Sequence, residues 1–146
     1  MTDQATPSTA PALRARRREA RERALSLLYE AEMKDLSTAQ VLADLPVSPD
    51  PFAVALVRGV GEQRDRLDAA IAQRAIGWGL ERMPVVDRNL LRLAVYELFC
   101  HADIPVAVII SEAVELAKQY STEESGRFVN GALAGVAGVA RPGTGD

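Results

Sequence analysis

Between its prolines this chain repeats one pattern: apolar residues three and four positions apart, with no alternating run long enough for a strand. Ala24, Leu27, Leu28 and Ala31 form a stripe in a helix predicted from Leu13 to about Lys34. Ser37 followed by Gln40 is a capping-box signal for a short helix carrying Val41, Leu42 and Leu45, and Pro46, Pro49 and Pro51 then break the chain. A longer helix is predicted from Phe52 to about Ile76, with Leu56, Val60, Leu67 and Ile71 on its apolar face. Gly59 and Gly61 predict a kink or a close helix contact in its middle, and Gly77-Trp78-Gly79 a connection after it. Pro84 opens the next helix, with Val86, Leu90, Leu93, Ala94 and Leu98 facing inward. Asp103 is the predicted N-cap of a helix that has Pro105 in its first turn and Val106, Ile109, Ile110, Ala113, Leu116 and Ala117 at helical spacing. Ser121 with Glu124 reads as a second capping box, opening a last helix through Phe128, Leu133 and Val136 that ends at Pro142-Gly143. The expectation is an all-α bundle of about six or seven helices over residues 13–140. A disordered tail over 1–12 precedes it and a flexible C-terminus over 141–146 follows.

Composition narrows the chemistry. Apolar residues make up 48% of the 146, enough for a packed core, while aromatics at 5% argue against a β-sandwich. One cysteine, Cys100, and one histidine, His101, cannot build a Cys/His zinc site or a disulfide within one chain. No metal ligands and no catalytic residues are assigned. The run from Phe128 to Ala140 is too short and glycine-rich to span a bilayer, and no apolar signal-peptide core precedes the arginines. A lone thiol fits a reducing cytoplasm, so a cytoplasmic protein without membrane contact is expected.

Charge is unevenly placed. Residues 13–23 hold six arginines against two glutamates, a local +4 in a chain of net charge −3, which leaves −7 for the remainder. A basic segment on an acidic body points to a polyanionic partner, and arginine's planar fork suits phosphate and base stacking better than lysine does. A solvated basic helix turn is the plainer alternative.

Other motifs are unremarkable. Neither Gly59-Val60-Gly61 nor Gly77-Trp78-Gly79 continues into a phosphate-cradling loop, and no cofactor is expected. Glu112 and Glu115 read as a surface pair, and Gly131, Gly135 and Gly138 as a seam for close helix packing. The start of the last helix stands out. Its N–H groups, Arg127 and Phe128 suit a phosphate and a stacked base, against the alternative of a core Phe128 and a buried Asn130.

Four ordered blocks resemble the NusB family of bacterial transcription antitermination factors. They are Ala15-Arg16-Arg17-Arg18 through Ala24-Leu25-Ser26-Leu27-Leu28-Tyr29; Asp87 through Leu98; Asp103-Ile104-Pro105 with Ile110 through Lys118; and Arg127-Phe128-Val129-Asn130-Gly131. The resemblance runs from Ala15 to about Ala137 and implies an all-α fold of two helical subdomains. It implies binding to the boxA RNA of ribosomal RNA operon transcripts, together with the NusE ribosomal protein, so that RNA polymerase in the antitermination complex reads through terminators. Arg16, Arg17, Arg18 and Arg21 match the family's arginine-rich RNA segment; Glu124, Arg127 and Phe128 match its second RNA-contacting region. Tyr29, Asp87 and Arg88 match its NusE-facing surface. A homodimer that hides the RNA surface is a further state implied for the free protein. Two rivals stand beside this: the RNA-binding part of a ribosomal RNA cytosine methyltransferase, and a protein-only helical adaptor. The absence of a glycine-rich cofactor loop and the ending near Pro142 argue against the first.

Overall fold

The structure, a computed structural model, describes residues 9–75 and 79–143. Seven α-helices lie within them: α1 (Ala10–Met33), α2 (Thr38–Ala43), α3 (Pro51–Glu62), α4 (Arg64–Arg74), α5 (Val85–Cys100), α6 (Val106–Tyr120) and α7 (Glu123–Ala140). A 3-10 turn, Leu80–Arg82, precedes α5. No strand occurs among the described residues, and no helix there is long and apolar enough to cross a membrane. The predicted connection at Gly77-Trp78 lies outside the described residues, as do residues 1–8 of the tail and 144–146 of the C-terminus.

Local chemistry sets the helix ends. α1 starts three residues before the apolar pattern does, because Thr9 Oγ1 accepts the Ala12 N–H at 3.1 Å and Pro11 sits in the first turn. It stops at a Schellman turn: Asp35 takes a left-handed φ of 55°, and the Leu36 N–H reaches the Ala31 carbonyl at 2.8 Å. The capping box of α2 forms as expected, with Ser37 and Gln40 exchanging bonds of 3.0 and 3.1 Å. The single helix expected over Phe52–Ile76 is instead two, parted at Gln63. The glycines mark close contacts. A Cβ on Gly59 would stand 2.1 Å from Tyr96 Cζ, and one on Gly61 2.0 Å from Thr38 Oγ1.

Two predicted caps are corrected. Pro105 itself occupies the N-cap of α6 with no side-chain bond, and Asp103 lies in the preceding turn. At α7 the cap is Thr122, whose Oγ1 accepts the Ser125 N–H at 2.9 Å; Ser121 and Glu124 form no capping box.

α5 is the centre of the molecule. It packs against α1, α3, α4, α6 and α7, so the two helical groups expected from the family pattern share one continuous core. Leu27, Leu56, Leu90, Leu91, Leu98 and Leu133 are fully buried there, each contributing on the order of 1.5–3 kcal/mol by leaving water. Arg141 closes the C-terminal end of α5, donating to the carbonyls of Glu97, Leu98, His101 and Ile104 at 2.6–3.0 Å. That residue, assigned to a flexible C-terminus by the apolar pattern, is therefore pinned to the core.

Candidate nucleic-acid interface

Successive residues on a helix point about 100° apart, so a run of arginines is dealt out to different neighbours. Arg16 donates to Asp50 Oδ2 at 2.6 Å, the same carboxylate whose other oxygen accepts the Phe52 N–H and caps α3. Arg17 lies 3.9 Å from Asp103 and over the ring of Phe52, 5.3 Å from its centroid. Arg18 makes a two-point pair with Glu112 on α6, at 2.8 and 2.7 Å. Three of the predicted RNA-binding arginines thus sit at the surface or half-buried, each facing a carboxylate of another segment.

Those pairs perturb their acids. The Arg18 hydrogen bond and charge, aided by Arg21 and Arg14, hold the Glu112 carboxyl below its ordinary range against the opposing effect of burial. Burial alone would raise Asp50, but the Arg16 hydrogen bond, the Phe52 N–H and the Arg16 charge together outweigh it and lower its pKa.

Arg21 departs from the expected role. It is 4% exposed and joined to Glu97, itself 2% exposed, by bonds of 2.9 and 2.8 Å inside the core. It stands three, four and seven residues before the buried Ala24, Leu25 and Leu28, on the length of α1 that α5 covers, so its guanidinium is enclosed and supports the fold.

The second expected region follows the end of α6 that meets α1. The Arg18–Glu112 pair and a 3.2 Å bond from Tyr120 Oη to Glu22 seat the arginine half of α1 along α6, and α7 begins three residues after Tyr120. Glu124 and Arg127 are exposed and form no ion pair among the described residues; Phe128 is half-buried and packed on the core. Asn130, considered as a buried group, is exposed.

Of the expected protein-facing residues, only Tyr29 is open, at 44% exposure. Asp87 is 2% exposed and accepts the Ser125 hydroxyl at 2.8 Å, linking the first turns of α5 and α7. Arg88 is half-buried, donating to Glu32 and to the Met83 carbonyl, with burial and the charge of Arg92 lowering its pKa. Asp87 is thus enclosed and Arg88 partly covered, on the α5 face that packs on α1 and α7.

Pattern reasoning passed over Arg14 and Arg23, exposed and without ion pairs among the described residues, and Tyr120. The two arginines were countable in the basic run. Tyr120 continues the buried spacing Ile109, Ala113, Leu116, so periodicity places it in the core.

The class these features give is an all-α protein with one core and acid-paired arginines on the outside of its first helix. The chain belongs to the NusB family, whose model matches residues 18–138. It is 52% identical over 128 residues to a transcription antitermination protein NusB of Salinispora arenicola, covering 83% of this chain and 94% of that one. The solved structure of T. maritima NusB superposes with a TM-score of 0.78 at 39% identity, over 86% of this chain and 93% of that chain. A crystal structure of antitermination factors NusB and NusE in complex with dsRNA matches with a TM-score of 0.72 at 27% identity, over 86% and 98%.

Proposed function

We propose that the protein is a transcription antitermination factor. It acts in the cytoplasm without catalysis, binding boxA RNA of ribosomal RNA operon transcripts together with the NusE ribosomal protein and promoting read-through by RNA polymerase. The observation that carries this reading is the shared fold with a NusB that is bound to NusE and dsRNA, joined to the exposed arginine face of α1. Arg16, Arg17 and Arg18 supply phosphate attraction, with Glu124, Arg127 and Phe128 at the second edge of the RNA and Tyr29 toward the protein partner. Arg88, half-buried, joins Tyr29 on the partner side, while the enclosed Arg21 and Asp87 serve these surfaces by holding the helices.

Filter binding of the full chain to a boxA-type RNA against a scrambled RNA tests it. Neutralising about three phosphates gives a slope of log K on log salt of roughly −2, hence about a 20-fold loss between 50 and 200 mM. Replacing Arg16, Arg17 and Arg18 by alanine flattens that slope and leaves helical content unchanged. Equal affinity for both RNAs, or an unaltered slope in the triple variant, refutes the reading.

A further inference from the structure

Tyr120 is the last residue of α6 and one of the few large apolar side chains left open among the described residues, at 48% exposure. On a longer helix its position would be core. Here α6 ends, and the side chain reaches across to α1, where its hydroxyl donates to Glu22 Oε2 at 3.2 Å. The hydroxyl is thereby anchored while much of the side chain stays in solvent, which limits the rotamer freedom that binding would otherwise remove.

The surroundings are of mixed charge, with arginine and lysine set among carboxylates. Glu22 stands one helical turn after Arg18, and Arg18 feels the carboxylates of Glu112, Glu115 and Glu22 together. Arg18 uses Nε and Nη2 on Glu112, and its side chain is about half exposed. On the other side Lys118 lies along Gly126, where a Cβ would stand 3.0 Å from its Cγ, and the exposed Arg127 follows. An anchored aromatic side chain thus closes α6 against α1, one turn beyond Arg18 and ahead of the α7 turn that carries Arg127. Phe128, by contrast, has much of its surface packed on the core.

We propose that Tyr120 is a stacking platform for one unpaired nucleobase of bound RNA, with Arg18, oriented by Glu112, meeting a neighbouring phosphate. The proposal rests on the RNA reading above and adds to it a residue that meets an unpaired base, since a base inside a duplex has no face to offer. Stacking on an aromatic side chain is tolerant of base identity and worth about 5- to 150-fold in affinity. Being uncharged, it leaves the salt slope alone.

The test uses the full chain and a single-stranded boxA-type RNA, carrying 5-iodouridine for photocrosslinking. Tyr120→Ala and Tyr120→Leu are expected to bind at least about fivefold more weakly at every salt concentration, with an unchanged slope, and Tyr120→Phe to stay within about twofold of the parent. The crosslinked peptide should contain Tyr120. Circular dichroism checks folding, and the Leu against Phe comparison isolates the aromatic ring should the alanine variant unfold. If Tyr120→Leu binds like the parent while Arg18→Ala is impaired, the RNA reading stands and the platform is overturned. If the parent does not prefer this RNA to a scrambled one, the RNA reading falls and the platform with it.

Discussion

The Arg21 guanidinium and the Glu97 carboxylate meet in two hydrogen bonds of 2.9 and 2.8 Å, sealed between α1 and α5. Removing one partner leaves the other charged and buried. Arg21→Ala is therefore expected to destabilise the protein by about 3–5 kcal/mol, against ~1 kcal/mol or less for Arg18→Ala in its exposed pair. The double replacement Arg21→Met with Glu97→Leu should recover most of that loss, because it leaves no orphaned charge. Urea unfolding of the variants measures both, and a cost for Arg21→Ala no larger than for Arg18→Ala would contradict the burial argument.

Asp87 tests the same logic at the joint between α5 and α7. One of its oxygens accepts from Ser125, and the other has no partner among the described residues. Ser125→Ala should cost about 1–3 kcal/mol by leaving the buried carboxyl without its donor. Asp87→Lys should unfold the first turns of α5 and α7 and weaken RNA and protein-partner binding together. Tyr29→Ala, on an open surface, should weaken partner binding alone. Thermal melts with separate calorimetric titrations distinguish the two patterns.

The cap of α7 separates stability from charge. Thr122→Ala is expected to cost ~1 kcal/mol, and Glu124→Gln close to nothing, since Thr122 and not Glu124 satisfies the helix start. With Glu124 exposed next to the proposed RNA path, the same Gln replacement should tighten RNA binding by ~0.5–1 kcal/mol at low salt. The gain should fade as salt rises. Weaker binding by a folded Glu124→Gln would mean that this carboxylate accepts a bond from the RNA.

Acid should loosen the seating of α1. Glu112 and Asp50 both titrate below their ordinary values in the folded protein. The stability they add is therefore present in full above the unfolded carboxylate range and is lost as pH falls through the lowered folded values. Hydrogen exchange of α1 amides between pH 6 and about 3 should show protection falling first in the arginine half. Glu112→Gln with Asp50→Asn should reduce that pH dependence.

Residue identity made much of the architecture legible. The α2 capping box, the prolines ahead of α3 and α5 and the 3–4 spacing of α6 were readable because helix formation and capping depend on neighbours a few positions away. Even so, two helix starts misled: Asp103, and Ser121 with Glu124 three residues on, had the right spacing to cap, but Pro105 and Thr122 took the positions. Spacing does not register which backbone N–H the preceding turn aims at a side chain.

Sequence alone determined that the chain is helical, that its charge is gathered on the first helix and that its blocks match one family. Those properties are local or additive, carried by each residue whatever its distant neighbours. Only the tertiary structure decided which charges remain available. Arg18 and Arg21 are chemically identical and three residues apart, yet one meets Glu112 at the surface and the other Glu97 in the core. Their partners lie 94 and 76 positions away along the chain. The packing of α1 against α5 assigns the second to the interior, and the cost of an unpaired buried charge makes that assignment binding.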